Sequence, residues 1–350
     1  MINLPKVENL DVVGKKVLVR ADLDVGDKLE PGDDIKLSTL IPTLKYLSEK
    51  QAKAILLGHF GRPDKVEDKT SLSLSGVVKR LSELLGKEIK FVSELFGEQS
   101  NSAIQQLNNG ELLCLENLRF DEREEKNEEE FTKRLAGFGN VYVNEAFSAS
   151  HREHASVVGI PKYLPHAAGL HFVEEVEKLS QVLENPKHPV VVLLSGLKKD
   201  KLDFVESFGK FADKILLAGR LPDYMGDDKI SVRLARPDDK VISADLIQDK
   251  EDITIHSIEV FEGIIKTAET IVVSGPMGKF EDEGHRQGTE RVLKAVANSS
   301  AFKVAGGGDT EQAIAMFNLR DKFDWISVGG GASMEFLAKG TLPGIEALRG

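Results

Sequence analysis

The stretch KVAGGGDTEQ at residues 303–312 runs a short apolar segment into three consecutive glycines and then into small polar residues. The same pattern recurs in ISVGGGASME at residues 326–335. Glycine weakens both helices and strands, so three in a row indicate a place where bare backbone is required. Unpaired N–H groups at the start of a helix bind anions, phosphate in particular. The two stretches therefore predict strand–turn–helix units that bind a ligand with several phosphates.

Short β-rich runs alternate with amphipathic helical segments along nearly the whole chain. The candidate strands are residues 15–23, 52–59, 112–117, 141–146, 189–196, 214–219, 270–275, 301–307 and 325–330. Such alternation, with nearly continuous apolar strands, predicts parallel sheets covered by helices. Nine strands in 350 residues are too many for one such unit, so we expect two α/β domains. The periodic segment 169–186 is predicted to be the helix that links them.

Composition excludes several classes of protein. The formal net charge of −11 argues against a general nucleic-acid or membrane-surface binder, and no apolar run is long enough to span a bilayer. The N-terminus lacks the apolar core of a signal peptide, and the single cysteine, Cys114, is expected to be a buried small hydrophobe. A reducing cytoplasm fits these features. The acidic run at residues 121–130 is expected to be a solvated helix start.

The residues that follow each predicted strand differ in kind between the two halves. The first half offers Arg62, Arg119 and Arg152 at equivalent strand ends, with His59 beside Arg62. A lone arginine after a strand is usually an ordinary loop residue, but three at one sheet edge indicate a site for a carboxylate or a phosphate. His154 is expected to be structural. The first half therefore suits a small anionic substrate, and the glycines and lysines of the second half suit a nucleotide.

Lysines follow the strand in LLSGLKKDKL, at residues 193–202, where Ser-Gly permits close approach of a ligand. The chain contains neither GxxxxGK[ST] nor GxGxxG, so it is not a P-loop protein and a dinucleotide site is disfavoured. Asp309 is predicted to be the N-cap of the helix after the first glycine triplet. A carboxylate beside bound phosphates is also a suitable Mg²⁺ ligand, and the two roles are compatible.

Together these residues resemble one known family. The stretches VLVRADLDV, DDIKL, GHFGRP, LENLRF, VNEAFSASHREHASV, VSGPMGKFE, AGGGDT and ISVGGGASMEFLAKGTLPGIEAL occur in the order found in phosphoglycerate kinases, from about residue 6 to residue 350. The resemblance implies two doubly wound, Rossmann-like α/β domains with parallel sheets that face each other across a cleft. It implies an N-terminal phosphoglycerate-binding domain over residues 1–170 and a C-terminal nucleotide-binding domain over residues 171–334. The tail, about residues 335–350, would pack back on the N-terminal domain.

The resemblance also implies an activity and the residues that carry it. The activity is reversible phosphoryl transfer between 1,3-bisphosphoglycerate and ADP, giving 3-phosphoglycerate and ATP, with Mg²⁺, by a cytoplasmic protein that we expect to be a monomer. The substrate-binding residues would be Asp22, Asp24, Lys36, His59, Arg62, Arg119 and Arg152. The nucleotide-binding residues would be Lys198, Lys201, Glu281, Gly306, Gly307, Gly308, Asp309, Thr310, Gly329 and Gly330, with Asp309 as the metal ligand and Glu281 on the ribose. The catalytic residues would be Lys198, Arg62, Gly307 and Gly330.

The chain departs from the family pattern at several positions. They are Asp24 for asparagine, Lys36 for arginine, Ser148 for glycine, Ser274 for asparagine, Lys279 for valine, the shortened segment RLPDYMGDD at 220–228, TIHS at 254–257, and a lysine loop one residue short. Asp24 and Lys36 either weaken the substrate pocket or pair with each other. A non-catalytic relative, or a kinase with another carboxylate or nucleotide preference, therefore stays an alternative to phosphoglycerate kinase.

Overall fold

A computed structural model describes residues 2–26, 33–63, 68–226, 231–233 and 235–350. The chain forms two compact units. The first consists of Ile2–Glu177 with Thr341–Gly350, and the second of Lys178–Gly340. The chain passes from one to the other inside the helix Leu170–Glu184, which confirms the helix predicted over 169–186. No helix of the described residues combines the length and the apolar character needed to cross a membrane.

The first unit contains a six-stranded sheet in which every strand pair is parallel. Its strands are β1 (Lys16–Arg20), β2 (Lys53–Leu57), β3 (Ile89–Val92), β4 (Leu112–Leu115), β5 (Val141–Asn144) and β6 (His166–Ala168), in the order β3-β4-β2-β1-β5-β6. All residues of β4 and β5 are buried. Because successive side chains of a strand point to opposite faces, both faces of this sheet are covered.

The second unit contains another six-stranded parallel sheet. Its strands are β7 (Val190–Gly196), β8 (Lys214–Gly219), β9 (Val241–Ser243), β10 (Thr270–Ser274), β11 (Phe302–Gly306) and β12 (Trp325–Ser327). From one edge to the other the order is β9-β8-β7-β10-β11-β12. This is the strand order of the doubly wound dinucleotide-binding fold, in which the chain reverses direction across the sheet between the two central strands.

Helices connect these strands in both units. Those that begin in the first unit are α1 (Asp33–Ser38), α2 (Ile41–Glu49), α3 (Asp68–Ser71), α4 (Ser75–Leu85), α5 (Glu98–Gln106), α6 (Glu129–Ala136) and α7 (Leu170–Glu184). The second unit has α8 (Phe204–Phe208), α9 (Leu221–Tyr224), α10 (Ile255–Ile265), α11 (Gln287–Asn298), α12 (Gly308–Met316) and α13 (Gly331–Lys339). The C-terminal α14 (Pro343–Arg349) belongs to the first unit, where the Gly344 N–H donates to the Ser150 carbonyl at 2.8 Å.

The prediction of two parallel α/β sheets is confirmed, and each of the nine predicted strands is present. The three strands that the sequence analysis missed are β3, β6 and β9, which all lie at sheet edges. Each has only three or four residues and is partly exposed. An edge strand does not need a continuous apolar run, because one side of it has no neighbouring strand, so the apolar pattern is weak there. Cys114 lies in β4 and is buried, as predicted.

A buried glutamate joins the first sheet to α7. Glu145 follows β5, and its carboxylate accepts from the Thr43 hydroxyl at 2.7 Å, the His171 N–H at 3.0 Å and the Phe172 N–H at 3.2 Å. The two N–H groups belong to the first turn of α7, which has no intrahelical acceptors for them. A Cβ at Gly169 would lie 1.9 Å from the same carboxylate, so the approach to the helix requires glycine. Glu145 thus fixes where α7 begins.

We expect Glu145→Gln to destabilise the protein by roughly 2 kcal/mol, because the new amide would face the Phe172 N–H and leave a buried donor unpaired. Urea unfolding followed by circular dichroism measures the loss. Glu174→Gln, at an exposed position in the second turn of the same helix, is the matched control and should stay within about 0.5 kcal/mol of the parent. Equal stability of both variants would show that Glu145 does not hold α7.

Candidate functional site

The first unit collects polar side chains where its central strands end. The order of strands along the chain reverses between β1 and β5, and ligands of open α/β sheets bind in the crevice at such a reversal. Asp22 follows β1, His59 follows β2, and Ser148 follows β5. The Ser148 hydroxyl donates to the Asp22 carboxylate, which joins the two sides of the reversal point. This edge is the candidate anion site.

Arg20, the last residue of β1, lies at the centre of this edge and is fully buried. Its guanidinium donates to the Ser156 hydroxyl at 2.8 Å, the Ala21 carbonyl at 2.7 Å and His59 Nδ1 at 2.7 Å. Glu124 is also fully buried and accepts from the N–H and the hydroxyl of Ser156. Burial raises the pKa of Glu124, and the Arg20 charge opposes that rise. Ser156 therefore bridges a buried cation and a buried carboxyl group.

Arg20 also determines the protonation of His59. An arginine has no hydrogen-bond acceptor, so His59 Nδ1 must accept and the proton of the neutral ring lies on Nε2. Nε2 is 3.4 Å from the Asp24 carboxylate. Burial lowers the pKa of His59 to about 4, against the opposing effect of Asp24. His59 is thus a neutral donor at neutral pH, held in one tautomer.

The three departures from the family pattern in this unit are neighbours of one another. The Lys36 ammonium lies 3.0 Å from Asp22 Oδ1 and donates to the Asp24 backbone carbonyl at 2.6 Å. The Asp24 carboxylate instead accepts from the Gly61 N–H at 2.8 Å and faces His59. Burial alone would raise the pKa of Asp24, but His59 and the Gly61 N–H hold it well below its usual range. The side-chain ion pair of Lys36 is therefore with Asp22 and not with Asp24.

Arg119 presents a buried cationic group at the same edge. One of its nitrogens donates to the Gly61 carbonyl at 2.7 Å, and Nε lies 2.9 Å from the Glu125 carboxylate. Its Nη2 is buried and has no hydrogen-bond partner in the described part of the chain. Burial lowers the pKa of Arg119, and the charge of Arg152 acts in the same direction. An added anion would relieve both effects.

Two of the predicted substrate-binding residues, Arg62 and Arg152, stand apart from these contacts, and Arg152 acts on Arg119 only through its charge. The side chain of Arg62 is exposed in the loop after β2, beside residues that the structure does not describe. The structure therefore brings Asp22, Asp24, Lys36 and His59 into direct contact and places Arg119 beside them through Gly61.

The second unit has a cavity of about 580 Å³ at the carboxyl ends of its strands. Glycines that follow or end three strands line it, namely Gly196, Gly219 and Gly275. Its other lining residues are Leu197, Lys201, Arg220, Lys250, Glu251, Pro276, Gly278, Lys279, Phe280, Glu281 and Asp309. Because β7 and β10 are the strands between which this sheet reverses, the cavity lies where doubly wound folds bind ligands. We call it the β7–β10 pocket.

Close backbone packing makes glycine necessary at the floor of the β7–β10 pocket. Gly275 has φ +101°, and a Cβ on it would lie 2.1 Å from the Ser195 carbonyl oxygen. Lys201 reaches the same point, where its ammonium donates to that carbonyl at 2.6 Å. Burial lowers the pKa of Lys201, and the charge of Asp309 opposes this effect. The floor therefore places a partly desolvated ammonium beside bare backbone.

The two glycine triplets need glycine for different reasons at different positions. Gly307 and Gly330, which precede α12 and α13, have φ of +104° and +55°, values that favour glycine. A Cβ on Gly306 would collide with Ser333 at 2.8 Å. At Gly308 and Gly331, by contrast, φ is ordinary and a Cβ would meet no atom within 4 Å. Internal packing does not explain glycine at these two helix starts, which open onto free space.

The predicted nucleotide residues divide into two groups. Lys201, Glu281 and Asp309 line the β7–β10 pocket, whereas the exposed Lys198 and the predicted glycines of both triplets do not line it. Thr310 is buried, and its hydroxyl donates to the Gly306 carbonyl and accepts from the Gly275 N–H, so it ties the two loops together. The prediction that Asp309 is the N-cap of its helix is wrong. The N-cap is Gly307 and Asp309 is the second helical residue, because α12 already begins at Gly308.

Sequence reasoning gave no role to Arg20, Ser156 or Glu124. Glu124 contradicts the prediction that residues 121–130 are a solvated helix start, because it is fully buried and α6 begins only at Glu129. No pattern in an acidic run marks the one carboxylate that turns inward. Arg20 carried a usable signal, since a single charge inside the apolar strand VLVRA cannot be buried without a partner.

Comparisons with known proteins agree on one family. The family model "Phosphoglycerate kinase" matches residues 7–225 and 222–340, and the two matches meet in the shortened segment 220–228, of which 227 and 228 lie outside the described residues. The chain is 38% identical to a phosphoglycerate kinase of Thermosipho africanus, with 98% of this chain and 97% of the relative covered. It is 37% identical to that of Coprothermobacter proteolyticus, with 99% of each covered.

Solved structures give the same result. The phosphoglycerate kinase of Pyrococcus horikoshii is similar with a TM-score of 0.85 at 27% identity, over 99% of this chain and 98% of that one. The enzyme of Coxiella burnetii is similar with a TM-score of 0.81 at 27% identity, over 99% of both chains.

Among the buried histidines of the first unit, His59 should make the protein less stable in acid. The unfolded chain binds a proton on His59 near pH 6.5, whereas the folded pKa is about 4, so the free energy of unfolding falls as pH falls between these values. The loss is on the order of 3 kcal/mol by pH 4, since one pKa unit corresponds to about 1.4 kcal/mol. Urea unfolding at a series of pH values should give a shallower pH dependence for His59→Asn than for the parent. The control is His256→Asn, at an exposed position of α10. Parallel curves for parent and His59→Asn would contradict the assignment.

Proposed function

Because the chain belongs to the phosphoglycerate kinase family, we propose that it catalyses reversible phosphoryl transfer between ATP and the carboxylate of 3-phosphoglycerate. In this reaction a carboxylate oxygen attacks the γ-phosphorus. The bond from that phosphorus to the bridging oxygen breaks, and the electron pair stays on ADP. The products are 1,3-bisphosphoglycerate and ADP, and the reverse direction makes ATP.

The observation that carries the proposal is the β7–β10 pocket together with the glycine turns that precede α12 and α13. Phosphoryl transfer needs little covalent chemistry from the protein, and its catalysis is positioning and neutralisation of negative charge. At Gly308 and Gly331, the first residues of α12 and α13, a Cβ would meet no neighbouring atom. Packing within the protein therefore does not require glycine at these two positions. N–H groups at such positions bind phosphate oxygens. We expect Gly306, Gly307, Gly329 and Gly330 to bind the nucleotide phosphates, and Glu281, at the rim of the pocket, to bind the ribose.

The first unit supports the substrate half of the proposal. Arg119 has a buried nitrogen without a partner, and Arg152 raises the positive potential there. Guanidinium groups suit the phosphate and carboxylate of phosphoglycerate. His59 is a fixed neutral donor beside them. Lys36 and Ser148 already occupy the carboxylate of Asp22, so we expect Asp24, whose side chain is 37% exposed, to meet the substrate hydroxyl.

Asp309 fits the role of a Mg²⁺ ligand. It lines the β7–β10 pocket near Lys201, and Mg²⁺ is commonly held by one or two carboxylates together with substrate phosphates. Among the described residues, no three histidine, cysteine or acidic side chains are grouped as a complete metal site. The remaining ligands would therefore be phosphate oxygens and water. The ion would neutralise charge on the transferring group. We propose a monomer in the cytoplasm, where the buried thiol of Cys114 stays reduced.

Lys198 provides the direct test of catalysis. Its side chain is exposed, so Lys198→Ala should leave thermal stability unchanged. If its ammonium binds the developing charge of the transferring group, kcat should fall roughly 100- to 1000-fold, the usual effect of losing one such donor. A coupled assay with 3-phosphoglycerate, MgATP and a downstream dehydrogenase measures kcat and both KM values.

Lys199→Ala is the matched control, because Lys199 is the next residue and is also exposed. It should retain the kcat of the parent. A near-normal kcat for Lys198→Ala would remove Lys198 from the mechanism. Absence of turnover in the parent chain, with folding intact, would instead favour a non-catalytic relative.

Gly308→Ala separates phosphate binding from stability. The new methyl group enters free space at the first residue of α12, so stability should be unchanged or rise by roughly 0.4–1 kcal/mol. The same methyl group would exclude a phosphate oxygen, so ADP affinity should fall at least about tenfold, which is about 1.4 kcal/mol. Differential scanning calorimetry and titration calorimetry measure the two quantities.

The control for this substitution is Gly263→Ala in α10, where a Cβ also meets no atom within 4 Å. Gly263 does not line the β7–β10 pocket, so this variant should gain stability and keep its ADP affinity. Unchanged ADP affinity in Gly308→Ala would place the phosphates elsewhere.

A further inference from the structure

The β7–β10 pocket has two chemically different ends. Asp309 and Lys201 lie at the end next to α12. Arg220, which follows β8, and Lys250 and Glu251, which lie between β9 and α10, form the other end. The strand order β9-β8-β7-β10-β11 separates these two groups across the sheet edge. If the phosphates bind at the glycine turn before α12, as the proposed function states, the nucleobase lies at the end with Arg220.

This base end is rich in hydrogen-bond donors. Arg220, Lys250 and Lys279 line it, and arginine and lysine side chains donate but cannot accept. The Glu251 carboxylate lines the same end, and its nearest ion-pair partner is Lys279, at 4.0 Å. A ligand held here should therefore present mainly acceptors, with a donor for the Glu251 carboxylate.

Asp223 orients the guanidinium of Arg220. Its carboxylate accepts from Arg220 Nε at 3.0 Å, and its other oxygen lies 3.1 Å from the Lys250 ammonium. The contact through Nε leaves Nη1 and Nη2 of Arg220 without a hydrogen bond to the described residues. The Arg220 N–H also donates to the Gly196 carbonyl at 2.9 Å, which anchors this residue to the end of β7. The guanidinium is thus positioned and has donors to spare.

We propose that the base end selects a 6-oxopurine, such as guanine or hypoxanthine, over adenine. Guanine presents two acceptors, O6 and N7, side by side, and an arginine fork bonds both at once. Adenine replaces O6 with an amino group, which points a donor at the donors of Arg220. The N1–H and the 2-amino group of guanine are donors, and the Glu251 carboxylate can accept hydrogen bonds from them. Arg220 is therefore a specificity-determining residue, and this inference rests on the proposed nucleotide pocket.

The test is titration calorimetry of the full chain with the Mg²⁺ complexes of GDP, IDP and ADP. GDP should bind at least about tenfold tighter than ADP, because a bidentate base contact is worth roughly that discrimination or more. IDP, which lacks the 2-amino group, should lie between them. Arg220→Met keeps a side chain of similar length but removes its donors, so it should lower GDP affinity and bring the ratio of GDP to ADP affinity close to one.

Arg233→Met is the matched control, because Arg233 is an exposed arginine of the same unit that pairs with Asp245 outside the pocket. It should keep the parent ratio, and thermal denaturation checks that both variants fold. ADP bound as tightly as GDP by the parent chain would overturn the inference and leave the kinase assignment standing. Binding of none of the three diphosphates would overturn the nucleotide pocket itself, and the proposed function with it.

Discussion

The first unit depends on the buried guanidinium of Arg20. A fully buried charge is stable only when it is paired and hydrogen-bonded, and Arg20 has bonds to Ser156, to His59 and to its own strand end. Through Ser156 it is linked to the buried Glu124, which lies on the segment before α6. One side chain thereby fixes the relative positions of β1, the loop after β2 and two further segments. It also holds His59 in a single tautomer. The contact that stabilises the buried charge of Arg20 therefore also makes His59 Nε2 a hydrogen-bond donor.

At the ends of its central strands the second unit has closely packed glycine backbone, whereas the first unit has charged side chains. At the reversal point between β7 and β10 the carbonyl of Ser195 comes so close to Gly275 that no other residue fits. Thr310 joins this floor to the glycine turn after β11. The result is a pocket whose walls offer bare backbone at the strand ends, the partly desolvated ammonium of Lys201 and the carboxylate of Asp309. Such a wall suits a polyanion with a divalent cation.

The departures from the family pattern are not scattered. In the first unit Lys36 and Ser148 both contact the Asp22 carboxylate, and Lys36 also donates to the Asp24 carbonyl, so a change at one alters the hydrogen bonds available to the others. In the second unit the shortened segment begins with Arg220, and Lys279 lies across the same end of the pocket. Residues that share partners do not act additively. Most departures from the family pattern therefore form two local groups, one at each candidate site, and TIHS at 254–257 lies apart from both at the start of α10.

The sequence by itself determined the two parallel sheets, nine of the twelve described strands, the linking helix α7 and the family, because apolar periodicity and long motifs are local properties of the chain. It also marked the strand ends as the places to look for polar residues. Tertiary structure decided which of those residues meet. It paired Lys36 with Asp22 and not with the side chain of Asp24, turned Glu124 inward from an acidic run, and put Lys201 but not Lys198 in the pocket wall. These outcomes depend on contacts between segments that are far apart in the chain. Burial and the geometry of donors and acceptors determine which residues pair, and residue type alone does not encode that pairing.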